Sequence, residues 1–570
     1  MNARQPATEP GTPTVKPADL AHATATATLL EPWTRYWTDT LWRSFATMDL
    51  LRQRADNMLD HEAAGMPPLL HFDAEPVADA HDFSPPCNYR LLRITRCGTD
   101  RLERHVRRGA APVIVVDPRA GHGPGIGGFR RDSEVGMALL EGHPVYFVVF
   151  DPEPVEGQTM GSVVEALARF IDIVAERHRG RAPIVYGNCQ GGWAVALALS
   201  HCNREAGLAV LNGSPLSYWA GEADVNPMRL AGGLLGGVWP AHLAADLGHG
   251  RFDGAWLVQN FEALRPEGVW KKYDQVFAQP QREQERFLEF ERWWNGFYQL
   301  GREEILTIIR DLFIGNHVEQ GEVVVDGHCR ANLSQLRTPL VIFCSYGDNI
   351  TPPNQALAWL KTVYGSTDAL VRAGQRIVYL LQEHVGHLGI FVSANVARHE
   401  HRAILHYAAA IQALPPGLYE MKLDTEAHPE NAAHATFEPR RIEELPFEPR
   451  PAAFERVDEV SRQLDGIYSQ WLSPFVQQLG TPATALWLKA LHPMRTSRLM
   501  WSDRVAPAAA ALPWLAWGMQ TLALDDEGRA SNPWYRAERS AADNVGQSIE
   551  SFRHLRDLSA EMLFHGLYGT

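Results

Sequence analysis

The chain has 570 residues, of which 45% are hydrophobic, so it is long enough for a large core and too long for only one. Acidic residues outnumber basic ones, and the formal net charge of −14 argues against a nucleic-acid partner. The six cysteines lack the spacing of a metal site or of a disulfide framework, a pattern that fits a reducing compartment. The N-terminal residues also lack the apolar core of a signal peptide, so we expect a cytoplasmic protein. We also expect no bound metal or cofactor.

The N-terminal region divides into two predicted parts. Residues 1–30 are rich in Ala, Thr and Pro and are predicted to be disordered. Residues 31–62 are predicted to form an amphipathic helix, because apolar residues recur every three or four positions and Trp33, Trp37 and Trp42 lie on or beside one face. That face can pack on the protein's own domain, form a homodimer or dock on an external apolar surface, and the sequence leaves these alternatives open.

Strand and helix signals alternate over residues 89–413, which predicts an α/β catalytic domain. Apolar, β-branched runs predict its strands near residues 112–117, 145–150, 183–187, 208–212, 339–345 and 376–381. Residues 215–335, between the fourth and fifth of these strands, are predicted to form a cap, with four aromatic side chains in the substrate pocket: Trp293, Trp294, Phe297 and Tyr298. The proline-rich residues 420–452 are predicted to be a linker, and residues 453–570 a helical C-terminal region.

The third of these strands runs into the hexapeptide Gly187-Asn188-Cys189-Gln190-Gly191-Gly192, which an alanine-rich helical stretch follows. Strand, Gly-x-nucleophile-x-Gly turn and helix form the nucleophile elbow of the α/β-hydrolase fold, here with cysteine in the position of serine. Glycines are expected at 187 and 191 because a Cβ there would collide with neighbouring elements. The helix N-terminus beneath Cys189 is expected to favour its thiolate form.

An elbow of this kind needs an acid and then a histidine later in the chain. Asp348 follows the fifth predicted strand, and His387 follows the sixth on a glycine-flanked loop. The sequence therefore predicts an α/β-hydrolase fold with a triad of Cys189, Asp348 and His387. His384 is the alternative base.

A glycine-rich loop follows the first predicted strand. Gly123 to Gly128 matches G-x-G-x-x-G, but five residues separate the strand from the first glycine, which disfavours nucleotide binding. The loop after this strand supplies an oxyanion amide in hydrolase folds. We therefore expect the backbone at Gly121 and His122, together with the amide of Gln190, to form an oxyanion hole.

One apolar stretch has the length of a membrane span. Residues 505–524 contain no charged residue and are long enough to cross a bilayer. Pro507, Pro513 and the many alanines argue against a transmembrane helix. We expect a buried or surface-apposed helix and no transmembrane segment.

With these residues in hand, the chain resembles the polyhydroxyalkanoate synthases, an α/β-hydrolase family that uses a Cys-Asp-His triad. The likeness is carried by the box Gly187-x-Cys189-x-Gly191-Gly192, by Gly347-Asp348-x-Ile350-x-Pro352 and by Gly386-His387. The resemblance implies that Cys189 carries the acyl or growing polyester chain, that His387 activates the thiol and that Asp348 assists hydroxyl attack. The short region before the core and the helical tail after residue 420 depart from the synthases and indicate a divergent branch.

A thiolate readily accepts an acyl group from a coenzyme A thioester, because exchange between thiols and thioesters is nearly isoenergetic. Three functions are compatible with such a site. The first is an acyltransferase of polyhydroxyalkanoate synthase type with hydroxyacyl-CoA as its substrate. The second is a hydrolase of polyesters or acyl thioesters, and the third is a non-catalytic protein of polyester granules. Exclusion of water from the site favours the first function over the second.

Overall fold

The computed structural model describes residues 17–98, 100–101, 105–201, 205–223, 225–325, 330–424, 433–448 and 452–569. The chain divides into two compact units, and each unit is built from separate stretches of sequence. The smaller unit consists of the residues up to 56 with residues 267–288 and 499–551. The larger unit consists of residues 57–266, 289–498 and 552–570.

The strands all belong to the larger unit. In chain order they are β1 (Asp73–Asp79), β2 (Tyr89–Cys97), β3 (Asp100–Arg101), β4 (Val113–Val116), β5 (Val145–Phe150), β6 (Ile184–Asn188), β7 (Leu208–Asn212), β8 (Arg251–Asp253), β9 (Gln299–Gly301), β10 (Val323–Val324), β11 (Arg330–Ala331), β12 (Leu340–Ser345), β13 (Arg376–Gln382), β14 (Gly417–Asp424) and β15 (His434–Arg440).

The helices are, in chain order, α1 (Pro17–Ala63), α2 (Glu134–Leu140), α3 (Met160–Arg177), α4 (Gln190–His201), α5 (Met228–Leu234), α6 (Trp239–Leu247), α7 (Ala255–Leu264), α8 (Pro266–Ala278), α9 (Pro280–Trp294), α10 (Arg302–Thr307), α11 (His317–Gln320), α12 (Pro353–Leu357), α13 (Trp359–Tyr364), α14 (Thr367–Arg372), α15 (His387–Val392), α16 (Ala394–Val396), α17 (Arg402–His406), α18 (Ala408–Ala413), α19 (Ala453–Ile467), α20 (Ser473–Leu479), α21 (Pro482–Leu491), α22 (Pro493–Leu499), α23 (Leu512–Met519), α24 (Asp526–Ser531) and α25 (Pro533–Tyr568).

A mixed sheet forms the centre of the larger unit, with the strand order β1-β2-β5-β4-β6-β7-β12-β13-β14-β15 and β3 paired to β2. The strands from β5 to β14 in this order are parallel, whereas β2 runs antiparallel to β5. Nearly every side chain of β4, β5, β6, β7 and β12 is buried, as expected for parallel strands covered on both faces. The six predicted strands correspond to β4, β5, β6, β7, β12 and β13, and the predicted α/β-hydrolase fold is confirmed.

Residues 420–452 differ from the predicted linker. Much of the segment forms β14 and β15, which extend the sheet: β14 pairs parallel with β13 and antiparallel with β15. Leu418 and Met421 of β14 are buried. Pro439 lies in the edge strand and Pro446 lies beyond it, and both are positions where proline is tolerated.

The predicted cap at residues 215–335 is not one body. Residues 267–288 belong to the smaller unit, and the rest of the described insertion belongs to the larger one. Residues 267–288 belong to the smaller unit because Val276 of α8 and Phe287 of α9 pack with Leu50 in one apolar cluster. In the larger unit the insertion contributes the two-stranded ribbon β8–β9.

In the smaller unit, α1 begins at Pro17, whereas the sequence predicted disorder up to residue 30 and a helix from residue 31. Alanine is the best helix former, and proline fits the first position of a helix, where its missing N–H costs no hydrogen bond. These preferences explain the earlier start. Residues 1–16 of the predicted disordered segment lie outside the described residues.

The middle of α1 buries a charged face within the smaller unit. Asp39, Trp42 and Arg43 are at most 3% exposed. Arg43 pairs with Asp39 at 2.8 Å and with Glu538 at 2.7 Å, and Asp39 also accepts from Arg529 at 2.9 Å. Because the charges of Asp39 and Arg43 are ion-paired, this face of α1 forms part of the core of the smaller unit.

The aromatic stripe predicted on α1 lies outside that buried face. Trp33, Trp37 and Leu41 are 45%, 51% and 46% exposed. Trp42, which the sequence grouped with them, is buried instead. The apolar stretch at 505–524 breaks into the short helix α23 and flanking turns, and in the described part of the chain no helix combines the length and apolarity needed to cross a membrane.

Candidate active site

Cys189 stands at the turn between β6 and α4. Its backbone has a φ of +49°, in the left-handed region, which costs a non-glycine residue roughly 1–3 kcal/mol. The strain is held from both sides: the amide of Cys189 donates to the carbonyl of Asn212 at 2.8 Å, and its carbonyl accepts from the amide of Gly192 at 3.1 Å. The residue is partly exposed.

The glycines of the elbow are required by close packing. A Cβ at Gly187 would lie 2.4 Å from the Cα of Gly192, and a Cβ at Gly191 would lie 2.6 Å from the carbonyl oxygen of Val116. Both contacts are with backbone, which cannot rotate away. The close packing expected from the sequence is therefore present. It arises because α4 packs directly on β4 and β6.

Asp348 and His387 lie after β12 and β13, at the same edge of the sheet as Cys189. One carboxylate oxygen of Asp348 accepts from the amides of Ile350 and Thr351, both at 2.8 Å. The other oxygen lies 2.7 Å from Nδ1 of His387. This contact orients the imidazole and leaves Nε2 for a second partner.

The second partner of His387 is Cys189. Burial alone would lower the pKa of the imidazole, but the charges of Asp348 and Cys189, together with hydrogen bonds to both, raise the pKa to about 10. The structure thus brings the three predicted residues into one cluster. A protonated imidazole between a carboxylate and a sulfur is the arrangement that activates a thiol.

His384, the alternative base, is placed differently. Its side chain is 92% exposed and lies 3.6 Å from the carboxylate of Glu383. Its backbone packs closely against Gly347, where a Cβ would lie 2.6 Å from the carbonyl carbon of His384. The imidazole of His384 therefore points to solvent, and the cluster contains His387.

The loop after β4 is fixed beside the elbow. The carboxylate of Asp117 accepts from the amides of Gly125 at 2.6 Å and Gly127 at 3.1 Å. Gly121 has a φ of +98°, and a Cβ there would lie 2.3 Å from the carbonyl oxygen of Gly254. Gln190 opens α4, where the first amides have no partner within the helix. The backbone of both predicted oxyanion segments is therefore held in place.

The ring of His122 packs inside the loop. Burial lowers its pKa to about 4, so the imidazole is neutral. Its centroid lies 4.2 Å from that of Trp293. The side chain of His122 thus supports the loop, and only its backbone remains a candidate for the oxyanion role.

The four aromatic residues predicted to line the pocket are buried, at most 5% exposed, and all four contact this loop. Trp293 donates from Nε1 to the carbonyl of Gly123 at 3.0 Å. The amide of Tyr298 donates to the carbonyl of Gly121 at 2.9 Å. These two residues therefore fix the oxyanion loop from the side of the insertion.

Trp294 and Phe297 also contact this loop, because the Trp294 ring centroid lies 5.9 Å from that of His122 and Phe297 forms an antiparallel β-bridge with His122. Trp294 donates from Nε1 to Glu262 at 2.9 Å, and the ring of Phe297 lies under the guanidinium of Arg495 at 4.9 Å. The sequence correctly indicated an aromatic cluster near the site. The role of these residues in a substrate pocket stays a prediction, because a repeating apolar pattern does not say which surface it covers.

Two aromatic residues beside the cluster were missed. Burial, and then the charge of Cys189, raise the pKa of Tyr218, whose ring stacks on Phe313 at 4.7 Å. The ring centroid of Phe391 lies 5.2 Å from that of His387. Tyr218 follows β7 and Phe391 lies one helical turn after His387, so their positions at the carboxyl ends of parallel strands were the available signal.

A buried polar network behind the elbow was also missed. Glu134 of α2 accepts from Nδ2 of Asn188 at 2.6 Å and from Nδ2 of Asn212 at 3.1 Å. The same Nδ2 of Asn212 lies 3.0 Å from Oδ1 of Asn188. Burial raises the pKa of Glu134 to about 8, which favours the protonated carboxyl group at neutral pH. Because Asn188 precedes Cys189 and Asn212 holds its amide, this network positions the sulfur.

Fold and cluster together define a protein of the α/β-hydrolase class with cysteine at the nucleophile position. The chain belongs to the family described as "Protein of unknown function (DUF3141)", which it matches over residues 39–570. It is 38% identical over 568 residues to "Uncharacterized protein in ackA 5'region" of Rhizobium meliloti, an alignment that covers 95% of this chain and 75% of that protein.

Two further similarities are more distant. The chain is 24% identical over 300 residues to "Poly(3-hydroxyalkanoate) polymerase subunit PhaC" of Haloferax mediterranei, which covers 50% of this chain and 55% of that protein. Among solved structures, naproxen esterase of Bacillus subtilis matches at 10% identity with a TM-score of 0.33. That match covers 60% of this chain and 93% of the esterase.

Proposed function

We propose that this protein is an acyltransferase of polyhydroxyalkanoate synthase type, which accepts the acyl group of a hydroxyacyl-CoA on Cys189 and transfers it to a hydroxyl. The observation that carries the proposal is a cysteine at the elbow beside His387, whose pKa is raised by Asp348 and by the sulfur. The 24% identity to a poly(3-hydroxyalkanoate) polymerase subunit supports the substrate class. A cytoplasmic location and association with polyester granules belong to the same proposal.

In the first half-reaction the thiolate of Cys189 attacks the carbonyl carbon of the thioester. The amides of Gln190 and of the loop at Gly121 stabilise the oxyanion that forms. The bond between this carbon and the sulfur of coenzyme A then breaks, and the imidazolium of His387 protonates the departing thiolate. The products are free coenzyme A and an acyl thioester on Cys189.

In the second half-reaction the neutral imidazole of His387 removes the proton of an incoming hydroxyl. The hydroxyl oxygen attacks the acyl carbon, the bond to Cys189 breaks, and an ester is released. Asp348 keeps the imidazole oriented and stabilises its protonated form in both half-reactions.

A hydrolase is the second candidate, and the partial exposure of Cys189 favours it. Water in place of the hydroxyl would release a free acid from the same acyl thioester. The two candidates share the first half-reaction and differ only in the acceptor.

The proposal is tested by incubating the full-length protein with 3-hydroxybutyryl-CoA and measuring intact mass, coenzyme A and free 3-hydroxybutyrate. Wild-type protein should gain the mass of a hydroxybutyryl group, and Cys189→Ala should not. Cys97→Ala is the matched control, because Cys97 is also a partly exposed free cysteine.

Coenzyme A release with ester products and no free acid supports the acyltransferase. Free acid in the same amount as coenzyme A identifies the hydrolase. Absence of both the adduct and coenzyme A release would leave the non-catalytic granule protein, and an adduct that persists on Cys189→Ala contradicts the assignment of the nucleophile.

A further inference from the structure

The helix α21 of the larger unit is attached at its two ends and free in between. Before it, a Cβ at Gly480 would lie 1.9 Å from the carbonyl oxygen of Asp246, and Nδ1 of His249 donates to the carbonyl of Gly480 at 2.7 Å. After it, the ring of His492 packs on Trp256 with centroids 4.2 Å apart. No side chain of α21 itself is buried.

A groove of about 600 Å³ lies beneath this helix. Most of its lining is apolar and comes from α6, the start of α7 and α21: Leu243, Leu247, Trp256, Ala485, Leu486 and Leu488. The volume is within the range of roughly 300–1,000 Å³ that is usual for small-molecule sites. The space is therefore large enough for a single extended alkyl chain.

The charged side chains that line the groove form ion pairs, with one exception. Glu153 pairs with Arg251, and Asp253 pairs with Arg495 at 3.0 Å. Lys489, on the last turn of α21, also lines the groove and forms no ion pair with any described residue. The groove thus has an extended apolar wall and one lysine without an ion pair to any described residue.

We propose that this groove binds a long-chain carboxylate, with its alkyl chain along the apolar wall and its carboxylate on Lys489. A monoanion with an apolar tail satisfies both features, because the tail removes apolar surface from water and the head neutralises the lysine. The site is separate from the Cys189 cluster and does not depend on the proposed acyl transfer.

The test is displacement of a fluorescent polyene carboxylate, cis-parinarate, by palmitate on the full-length protein. We expect saturable binding with one site per chain, and the affinity should fall about fourfold for each methylene removed from the competitor. Dodecanol, which lacks the charge, should compete at least tenfold more weakly than dodecanoate.

Variants locate the site. Ala485→Trp on one wall and Leu243→Trp on the other should each abolish binding by filling the groove, and Lys489→Gln should weaken it about tenfold. Trp487→Gln is the matched control, because Trp487 lies on the same helix, is 67% exposed and does not line the groove. Thermal melting of each variant shows whether it is folded.

Three results with the variants would overturn the proposal: folded Ala485→Trp and Leu243→Trp proteins that bind like wild type, a loss of binding in Trp487→Gln equal to that in the filling variants, or a loss of binding in Cys189→Ala. The last result would place the ligand in the Cys189 cluster. A stoichiometry well above one would show adsorption on exposed apolar surface instead.

Discussion

At the scale of single residues, His387 and His384 form a natural comparison, because they lie three positions apart and only His387 contacts Asp348. His387→Gln should lower the rate of Cys189 acylation by roughly 10³–10⁶-fold, as removal of a triad member does elsewhere. His384→Gln should change the rate less than threefold. Stopped-flow release of coenzyme A measures both, and the reverse order of effects would make His384 the base.

The raised pKa of His387 also predicts a dependence of stability on pH. The folded state binds the imidazole proton more tightly than the unfolded chain, with a pKa of about 10 against 6.5. The stabilisation is therefore complete below pH 6.5 and is lost as the pH rises toward 10. The melting temperature of wild type minus that of His387→Gln should shrink over this range, whereas a constant difference would contradict the charge on the imidazole.

Glu134 is expected to act through the residues it holds. Glu134→Ala removes the acceptor for Asn188 and Asn212, so Cys189 should shift and kcat should fall about a hundredfold. Glu134→Gln keeps the shape and one acceptor and should retain most of the activity. Equal losses of kcat in both variants, with unchanged melting temperatures, would remove Glu134 from a positioning role.

The sequence was a good guide to the triad residues and a poor guide to their supports. Cys189, Asp348 and His387 each follow a strand in an order that the fold imposes. Glu134 and Asn212 carry no such signal, because their hydrogen bonds join segments that are far apart in the chain. Likewise, Trp293 and Tyr298 were recognised as a cluster, but their hydrogen bonds to the oxyanion loop could not be read from spacing.

At the scale of elements, Gly254 and Tyr298, which flank the ribbon β8–β9, hold the loop that is predicted to form the oxyanion hole. Gly121→Ala should lower the acylation rate strongly, because its Cβ would meet the backbone oxygen of Gly254 at 2.3 Å. Gly157→Ala is the control: Gly157 also has a positive φ, +74°, but a Cβ there meets nothing within 4 Å. Both variants should lose about 1–3 kcal/mol of stability from backbone strain, and only Gly121→Ala should lose rate.

Comparable kinetics for the two glycine variants would show that the loop does not depend on its contact with Gly254.

The six buried strands were predictable because fully covered parallel strands are continuous apolar runs. The last two strands, β14 and the edge strand β15, were not predicted, because Pro439 and neighbouring charged residues give β15 the composition of a linker.

At the scale of the whole molecule, the two faces of α1 have different expected roles. Arg43→Ala leaves Asp39 and Glu538 buried with less compensation and should destabilise the smaller unit by about 3–5 kcal/mol. Trp33→Gln with Trp37→Gln, at exposed positions, should change stability by less than about 1 kcal/mol. Urea unfolding measures both.

The same pair of tryptophan substitutions tests docking without unfolding. If α1 attaches the protein to polyester granules, the double variant should lose co-sedimentation with them while its melting temperature stays the same. Undiminished co-sedimentation would retire the docking hypothesis for this stripe.

The discontinuity of the smaller unit has a consequence for the time course of synthesis. Its last segment, residues 499–551, leaves the ribosome long after residues 267–288. At 5–20 residues per second the interval is roughly 10–40 s, during which α1 and α8 have no final partner. Leu50, Val276 and Phe287 can meet each other earlier, but Asp39 and Arg43 wait for Arg529 and Glu538. In the nascent chain Asp39 and Arg43 can pair with each other, but they lack their second ion pairs until translation is nearly complete, and during this period a chaperone can bind the uncovered face of α1.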